Sequence, residues 1–281
     1  MPAEARASGD SRAAAGALLI GIVVAITVLA PIVAPLDPAA QRDVVATRLL
    51  PPGATDAFGS FHLLGTDRLG RDVWSRLVYG ARVSLGVGVL AVLLSVGIGI
   101  LMGAASALAR GPVGTLLLAI TDFALALPRV VLLLLLAALW SPSLLLVVLV
   151  LGFTGWMPVA RLVHAESRAL LERPFVEAAV ALGSGRRRLL VRHLVPNVAT
   201  SVIVAAALGV GNAILLEAGL SFLGLGVQPP APSWGNMIAS GRDALVNAPW
   251  VAVAPGVALV IVVVACTLLG DALQDRLRRN S

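Results

Sequence analysis

The chain has 281 residues, of which 58% are hydrophobic and only 13% are charged. Soluble domains carry about 25% charged residues, so this composition excludes a soluble enzyme, a disordered tail and a disulfide scaffold, and it indicates a chain that lies mostly inside a bilayer. The net charge of +6 does not indicate nucleic-acid binding, because all 21 cationic residues are arginines spread among apolar segments.

Six stretches are long and apolar enough to cross a membrane, which takes roughly 20 residues in a helix. The first, 13–36, has an apolar core too long for a signal peptide, so we expect it to be retained as an anchor helix. The five other helices are predicted over 83–109, 113–139, 143–161, 198–222 and 249–270. The chain is therefore predicted to be an all-α integral membrane protein, with the anchor in residues 1–60 and the main transmembrane domain in 61–281.

The distribution of arginine predicts which ends of these helices face the cytoplasm. If both termini are cytoplasmic, the inner segments hold thirteen arginines and the outer segments hold seven. Cytoplasmic segments of membrane proteins carry the excess of positive charge, so we expect both termini to be cytoplasmic. Two long segments are then external, 37–81 and 224–248, and one is internal, 162–197.

The external segments mix aromatic and basic residues with apolar ones. Within 63–85 this pattern fits an interfacial helix that leads into the second span, or a contact with another protein. Trp234 lies in a proline-rich loop, where it can anchor at the membrane interface.

Charged and amide side chains lie within two of the predicted spans. Asp122 and Arg129 are seven residues apart, on one face of the third helix, with Pro128 between them as a possible kink. Asn212 and Glu217 lie in the fifth helix, among glycines that favour close helix packing. Because charges at this depth are costly, these residues are expected to line a translocation path or gate, or to form structural ion pairs and hydrogen bonds between helices.

The internal segment contains a short helix between two turn signals. Pro174 suits the first turn of a helix, and the glycines at 183 and 185 stop it after about two turns. A second helix is predicted over 186–195, ending before Pro196. Glu177 can serve simply as a helix-start acid, and the arginines at 186–188 can simply retain the topology. Those explanations leave the small alanines beside Glu177 unexplained, whereas a surface that fits a groove on a partner protein accounts for them.

This internal segment resembles the EAA loop of bacterial ABC-importer permeases. The resemblance rests on Glu177-Ala178-Ala179, then Gly183, then Pro196, at the spacing of that motif. The ending, with His193 before Pro196, is closer to the RHxxPN form of the peptide and nickel branch, in which Tyr often stands at the position of Phe175.

Two further segments resemble the same branch. Residues 65–72 and 80–85 read GTDRLGRD and GARVSL, and residues 217–226 and 232–235 read EAGLSFLGLG and PSWG. The three matches occur in the right order and on consistent sides of the predicted membrane, and the resemblance covers about residues 60–275.

The resemblance implies the C-type permease of a dipeptide, oligopeptide or nickel importer, with the type I ABC-importer permease fold and a short cytoplasmic coupling helix. Such a permease lies in the bacterial inner membrane, pairs with a homologous permease, and receives substrate from an extracytoplasmic binding protein. Two cytoplasmic ATPase subunits dock on the EAA loops. The permease itself binds no cofactor or metal and is not an enzyme, because ATP and Mg belong to the ATPase partners.

On this resemblance, three groups of residues are the candidate sites. The ATPase-coupling group is Phe175, Glu177, Ala178, Ala179, Gly183, Arg187, His193 and Pro196. The group expected at the translocation path or gate is Asp122, Arg129, Asn212 and Glu217. The group expected to make outer-side contacts is Asp67, Arg71, Asp72, Arg82 and Trp234.

Three alternatives remain open. A nickel or other small-solute importer fits the same motifs, although the sequence has no cluster of metal ligands that favours nickel over peptides. A channel or proton-coupled carrier could use the intramembrane charges without an ATPase, but it leaves the two-turn internal helix unexplained. An intramembrane enzyme is disfavoured, because the three histidines all lie outside the predicted spans.

Overall fold

A computed structural model of the chain describes residues 3–109, 111–182 and 184–280. Helices α1 to α12 are, in order, Ala3–Val28, Ala30–Val33, Val44–Thr47, Val73–Leu108, Pro112–Ala126, Arg129–Leu139, Leu144–Leu171, Pro174–Ala181, Arg186–Leu189, Val195–Phe222, Trp234–Gly241 and Trp250–Asn280. A π-helical turn, Leu190–Leu194, joins α9 to α10, and a 3-10 turn, Arg242–Ala244, follows α11. Two short antiparallel strands, β1 (Ala54–Thr55) and β2 (Phe61–His62), pair with Thr55 opposite Phe61.

The predicted architecture of a bundle of membrane-spanning helices is confirmed. Within the described ranges, α1, α4, α7, α10 and α12 are each long and apolar enough to cross a membrane, and α5 with α6 makes a sixth candidate. The predicted single helix over 113–139 is wrong, because α5 and α6 meet at 87° across a short break. Pro128 supplies no backbone N–H and disfavours helical geometry at Leu127, which is extended, so the helix ends there instead of bending gently.

The relative direction of α4 and α7 shows that α5 and α6 together cross the bundle once. Gly99 packs against Val159, and Gly103 packs against Val163, so residue numbers rise together and the two helices are parallel. After α4 and before α7 the chain must therefore cross the bundle in the opposite direction. Helices α5 and α6 together make this crossing as one broken span. As a result, Asp122 and Arg129 lie on separate helices and not two turns apart on one face.

The helix predicted over 186–195 does not end before Pro196. It continues through the π-helical turn into α10, and the Val195 N–H donates to the Leu190 carbonyl, one residue further back than in an α-helix. Pro196 is the second residue of α10 and follows this turn directly, so the wider π-helical turn lies where the proline N–H is missing.

Several spans are longer than predicted at their ends. α4 begins at Val73, so the interfacial helix expected within 63–85 is the first part of this span. α7 continues to Leu171, and α12 continues to Asn280. The bundle therefore extends beyond the apolar stretches that the sequence marks.

Residues 37–72 and 223–249 form one layer, here called the loop layer, over the end of the bundle where α4 begins. Its apolar core packs Leu49 and Leu64 of the first segment and Met237, Ala244 and Ala248 of the second against Val73 of α4 and Val251 of α12. The Trp250 indole N–H donates to the Thr66 carbonyl at 3.3 Å. Because α7 runs parallel to α4, the short helix α8 that follows α7 lies at the opposite end of the bundle.

Glycines on α4 allow its close approach to α7. A Cβ atom on Gly99 would lie 2.6 Å from the Val159 Cβ, whereas a Cβ on Gly97 would meet no atom within 4 Å. We expect Gly99→Ala to lower the free energy of unfolding by about 1–3 kcal/mol through overpacking. Gly97→Ala on the same helix is the control and should leave it unchanged or slightly higher. Thermal unfolding of the purified protein in detergent tests this, and equal melting temperatures for the two variants would contradict it.

Candidate functional site

A charge-paired turn lies at the centre of the loop layer. Asp67 is 3% exposed, and one of its carboxylate oxygens accepts hydrogen bonds from the backbone N–H groups of Leu69 and Arg71. Its other oxygen accepts from Arg71 Nε at 2.8 Å and lies 3.6 Å from Arg76 Nε. Both arginines are also buried. The GTDRLGRD run is therefore a compact buried turn. Its Asp67 carboxylate lies next to two guanidinium groups, that of Arg71 within the turn and that of Arg76 on α4.

Asp72 joins this layer to α4. Its carboxylate caps the helix by accepting from the Ser75 N–H at 2.7 Å, and its other oxygen lies 2.9 Å from His62 Nδ1. The opposite ring nitrogen of His62 lies 3.3 Å from Asp56. Burial raises the pKa of Asp56, but hydrogen bonds from the Ser60 and Phe58 N–H groups and from His62 bring the net pKa below its ordinary value of 3.8.

Arg82 on α4 forms hydrogen bonds with the end of α1. Its guanidinium group donates to the carbonyls of Thr27 and Val28 at the end of α1, at 2.8 and 3.1 Å. The same group lies over the Tyr79 ring, 5.2 Å from the ring centroid. Of the predicted outer-side residues, Asp67, Arg71 and Asp72 thus lie inside the loop layer, and Arg82 lies at the junction of two spans.

Glu217 is fully buried, at the junction of α4, α10 and α11. Its two carboxylate oxygens accept hydrogen bonds from Ser84 Oγ at 2.9 Å and from Ser221 Oγ at 2.7 Å. The Ser84 hydroxyl also accepts from the Trp234 backbone N–H at 3.2 Å. The buried Trp234 indole in turn donates to the Leu77 carbonyl at 3.0 Å. This cluster fastens the loop layer to two spans, and it unites the GARVSL, EAGLSFLGLG and PSWG runs.

The two serines were missed as candidate residues. Both Ser84 and Ser221 lie inside the runs that carry the resemblance, and they occupy small polar positions in otherwise apolar stretches. A hydroxyl at membrane depth needs a partner, which is the signal that could have linked them to Glu217.

A cavity of about 320 Å³ lies between α4, α6, α7 and α10. Its walls are mostly apolar, and its polar side chains are Ser95, Arg129 and Asn212. The structure thus brings together Arg129 and Asn212, two of the predicted path residues, and adds Ser95, whose hydroxyl donates to the Gly152 carbonyl at 3.0 Å. Asp122 instead lies 3.3 Å from Arg161 Nη1 in a partly exposed ion pair.

The short helix α8 lies between α7 and α9. Val176 is 1% exposed and ties the helix to the bundle, whereas Phe175 and Ala178 are exposed and Ala179 is half-buried. The rings of Phe175 and His193 are 6.1 Å apart, so α8 contacts the π-helical turn that leads into α10. Gly183 and the side chains of Glu177 and Arg187 lie outside the described part of the structure.

Comparison with known proteins places the chain in a family. Residues 95–280 match the family described as the binding-protein-dependent transport system inner membrane component. The chain is 40% identical over 263 residues to the di/tripeptide transport system permease protein DppC of Pseudomonas aeruginosa, covering 93% of this chain and 86% of that protein. It is 45% identical over 216 residues to a protein of Brucella suis named as a peptide permease, covering 76% of this chain and 72% of that protein.

The fold also matches a solved transporter. An inward-facing structure of the MetNI methionine ABC transporter aligns with a TM-score of 0.58 and 22% identity, covering 70% of this chain and 93% of that chain. This likeness concerns the fold, and the family assignment rests on the sequence matches and on the apolar helices. The chain is a multi-pass inner membrane protein, and it belongs to the family of inner membrane components of binding-protein-dependent transport systems.

Proposed function

We propose that this chain is one of two homologous permease subunits of an ATP-driven importer of dipeptides or oligopeptides. It forms half of the translocation path, while two partner ATPases bind ATP and Mg and hydrolyse the nucleotide. An extracytoplasmic binding protein delivers the peptide to the loop layer. The peptide substrate is supported by the names of the relatives, one a di/tripeptide permease at 40% identity and another a peptide permease at 45%.

The observation that carries the importer mechanism is the position of α8. This eight-residue helix connects through short turns to α7 and, by way of α9 and the π-helical turn, to α10. Both α7 and α10 line the cavity that holds Arg129 and Asn212. A partner that moves α8 would therefore move two walls of the cavity together, which is how a rigid-body closure can alternate access.

The exposed surface of α8 suits a docking partner. Phe175 is 49% exposed and Leu182, just after the helix, is 88% exposed, while Val176 holds the opposite side against the bundle. The beginning of α1 and the end of α12 lie at the same end of the bundle as α8, because the end of α1 and the beginning of α12 contact the loop layer and the start of α4. The predicted inner arginines are concentrated at this end. We therefore assign this end to the cytoplasm and the loop layer to the outside.

Coupling through α8 predicts that changes in the EAA loop uncouple hydrolysis from transport. We expect Glu177→Ala and Gly183→Asp to lower stimulation of ATPase activity by the peptide-loaded binding protein about tenfold, the effect of losing about 1.4 kcal/mol of docking free energy. The chain is purified together with the partner proteins encoded by its neighbouring genes, and the complex is reconstituted in proteoliposomes. ATPase activity and peptide import are then measured in parallel. Asp271→Ala, at an exposed acid of α12, is the control and should behave as wild type.

The same experiment separates the importer from a carrier. Peptide import that continues without ATP or without the ATPase subunits would show an ATPase-independent carrier. A wild-type chain that neither co-purifies with an ATPase nor responds to the two EAA substitutions would also overturn the proposed function.

A further inference from the structure

The cavity between α4, α6, α7 and α10 contains a guanidinium group without a counter-charge. Arg129 is half-buried on the cavity wall, and its Nε atom is buried without a hydrogen-bond partner. Among the described side chains, no ion pair involves Arg129. Of the described acids in the candidate spans, Asp122 pairs with Arg161, and Glu217 accepts from Ser84 and Ser221. The other three, Glu166, Asp271 and Asp275, form no ion pair with Arg129.

This placement is electrostatically costly. A charged side chain near the centre of a bilayer is costly, and such residues in membrane proteins usually face a cavity, a partner charge or a substrate. Arg129 is also the first residue of α6, where the helix dipole disfavours a cation. A positive charge held in this way calls for an anion that the described side chains do not supply.

The surrounding surface leaves room for such an anion. A Cβ atom on Gly155 would lie 3.2 Å from Arg129 Nη2, so the glycine allows the guanidinium group to approach α7 closely. Across the cavity, Asn212 offers both a donor and an acceptor. A volume of about 320 Å³ is at the lower end of the range of ligand sites, and it suits a small molecule with an apolar body and a few polar groups.

We propose that Arg129 binds the terminal carboxylate of the peptide during its passage, with Asn212 contacting the peptide's amide groups. This inference rests on the proposed function and adds the chemical feature of the substrate that the permease recognises. A guanidinium group binds a carboxylate through two parallel N–H···O bonds, which a lysine cannot reproduce. The pairing also neutralises both charges inside the membrane region, so each partner lowers the cost of burying the other.

The test compares two probes that differ only at the carboxylate. Equilibrium binding of radiolabelled dialanine and of its C-terminal amide is measured on the complex of the two permeases and two ATPases in nanodiscs. The binding protein is left out. The variants are Arg129→Gln and Arg129→Lys, and Arg161→Gln is the control, since that exposed arginine pairs with Asp122.

We expect wild type and Arg161→Gln to bind dialanine at least about tenfold more tightly than the amide, as charge-assisted hydrogen bonds require. Arg129→Gln should weaken dialanine binding to the level of the amide, and Arg129→Lys should restore only part of the preference.

Three results would overturn the inference. One is a wild-type complex that imports dialanine but shows no preference for the acid, or no binding of it. Another is an Arg129→Gln complex that keeps the preference. The third is an Arg129→Gln complex that fails to assemble, together with an Arg129→Lys complex that recovers both assembly and the preference for the acid in full. That result would assign Arg129 to an ion pair with another subunit. Dialanine import by wild-type proteoliposomes tests the proposed function separately, so failure of the carboxylate site alone is distinguishable.

Discussion

Replacing Asp67 by alanine is expected to unfold the loop layer, because it removes the carboxylate shared by two buried guanidinium groups. Arg71 and Arg76 are 5% and 3% exposed, and Asp67 is the acid next to both. Breaking a buried ion pair from one side costs about 3–5 kcal/mol, since the remaining charge stays buried without compensation. Thermal unfolding in detergent and limited proteolysis within 37–72 measure the effect.

Asp243→Ala is the matched control for Asp67→Ala. Asp243 pairs with Arg68 at 3.0 Å in the same layer, but both side chains are more than half exposed. Exposed ion pairs contribute little to stability, because water and salt screen them, so this variant should unfold and resist protease much as the wild type does. Similar losses in both variants would show that the turn around Asp67 is not what stabilises the layer.

Replacing Glu217 by alanine is expected to have a comparably large effect at the junction of α4, α10 and α11. The hydroxyls of Ser84 and Ser221 would lose their acceptor, at about 1–3 kcal/mol for each unsatisfied buried group, and a cavity would remain. Glu217→Gln keeps the volume and one carbonyl acceptor, and its NH₂ group can donate to a serine oxygen. We therefore expect the glutamine variant to lose much less stability, measured by thermal unfolding in detergent.

The Glu217 variants also distinguish packing from a role in the path. If Glu217→Ala lowers the melting temperature strongly and Glu217→Gln supports near-normal peptide import, the carboxylate acts as a structural acceptor. If both variants are as stable as the wild type but fail to import, the carboxylate acts in translocation, contrary to the geometry of the cluster.

The cluster around Glu217 also gives the loop layer a mechanical connection to the spans. Trp234 begins α11 in the loop layer, and its backbone N–H and indole bind Ser84 and Leu77 on α4. If a binding protein docks on this layer, as we propose, its closure or release would act directly on α4 and α10. The cavity with Arg129 lies further along the same two helices.

The amino-acid sequence by itself determined the membrane architecture and the short helix α8. Crossing a bilayer requires a long apolar run, and a two-turn helix between Pro174 and the glycines near 183 requires only local backbone preferences. Both signals are contained in contiguous residues, so they could be read without knowing how the helices pack. The family motifs likewise identified the family to which the chain belongs.

Only the tertiary structure decided what those motif residues contact. Ser84 and Glu217 are 133 residues apart, and they meet because α4 and α10 pack together at the loop layer. Pro128 indicated a kink, but local preference does not set the 87° angle that separates Asp122 from Arg129. That angle, and the unpaired position of Arg129 in the cavity, follow from packing between distant helices, because each helix surface finds its partner only once the whole bundle has assembled.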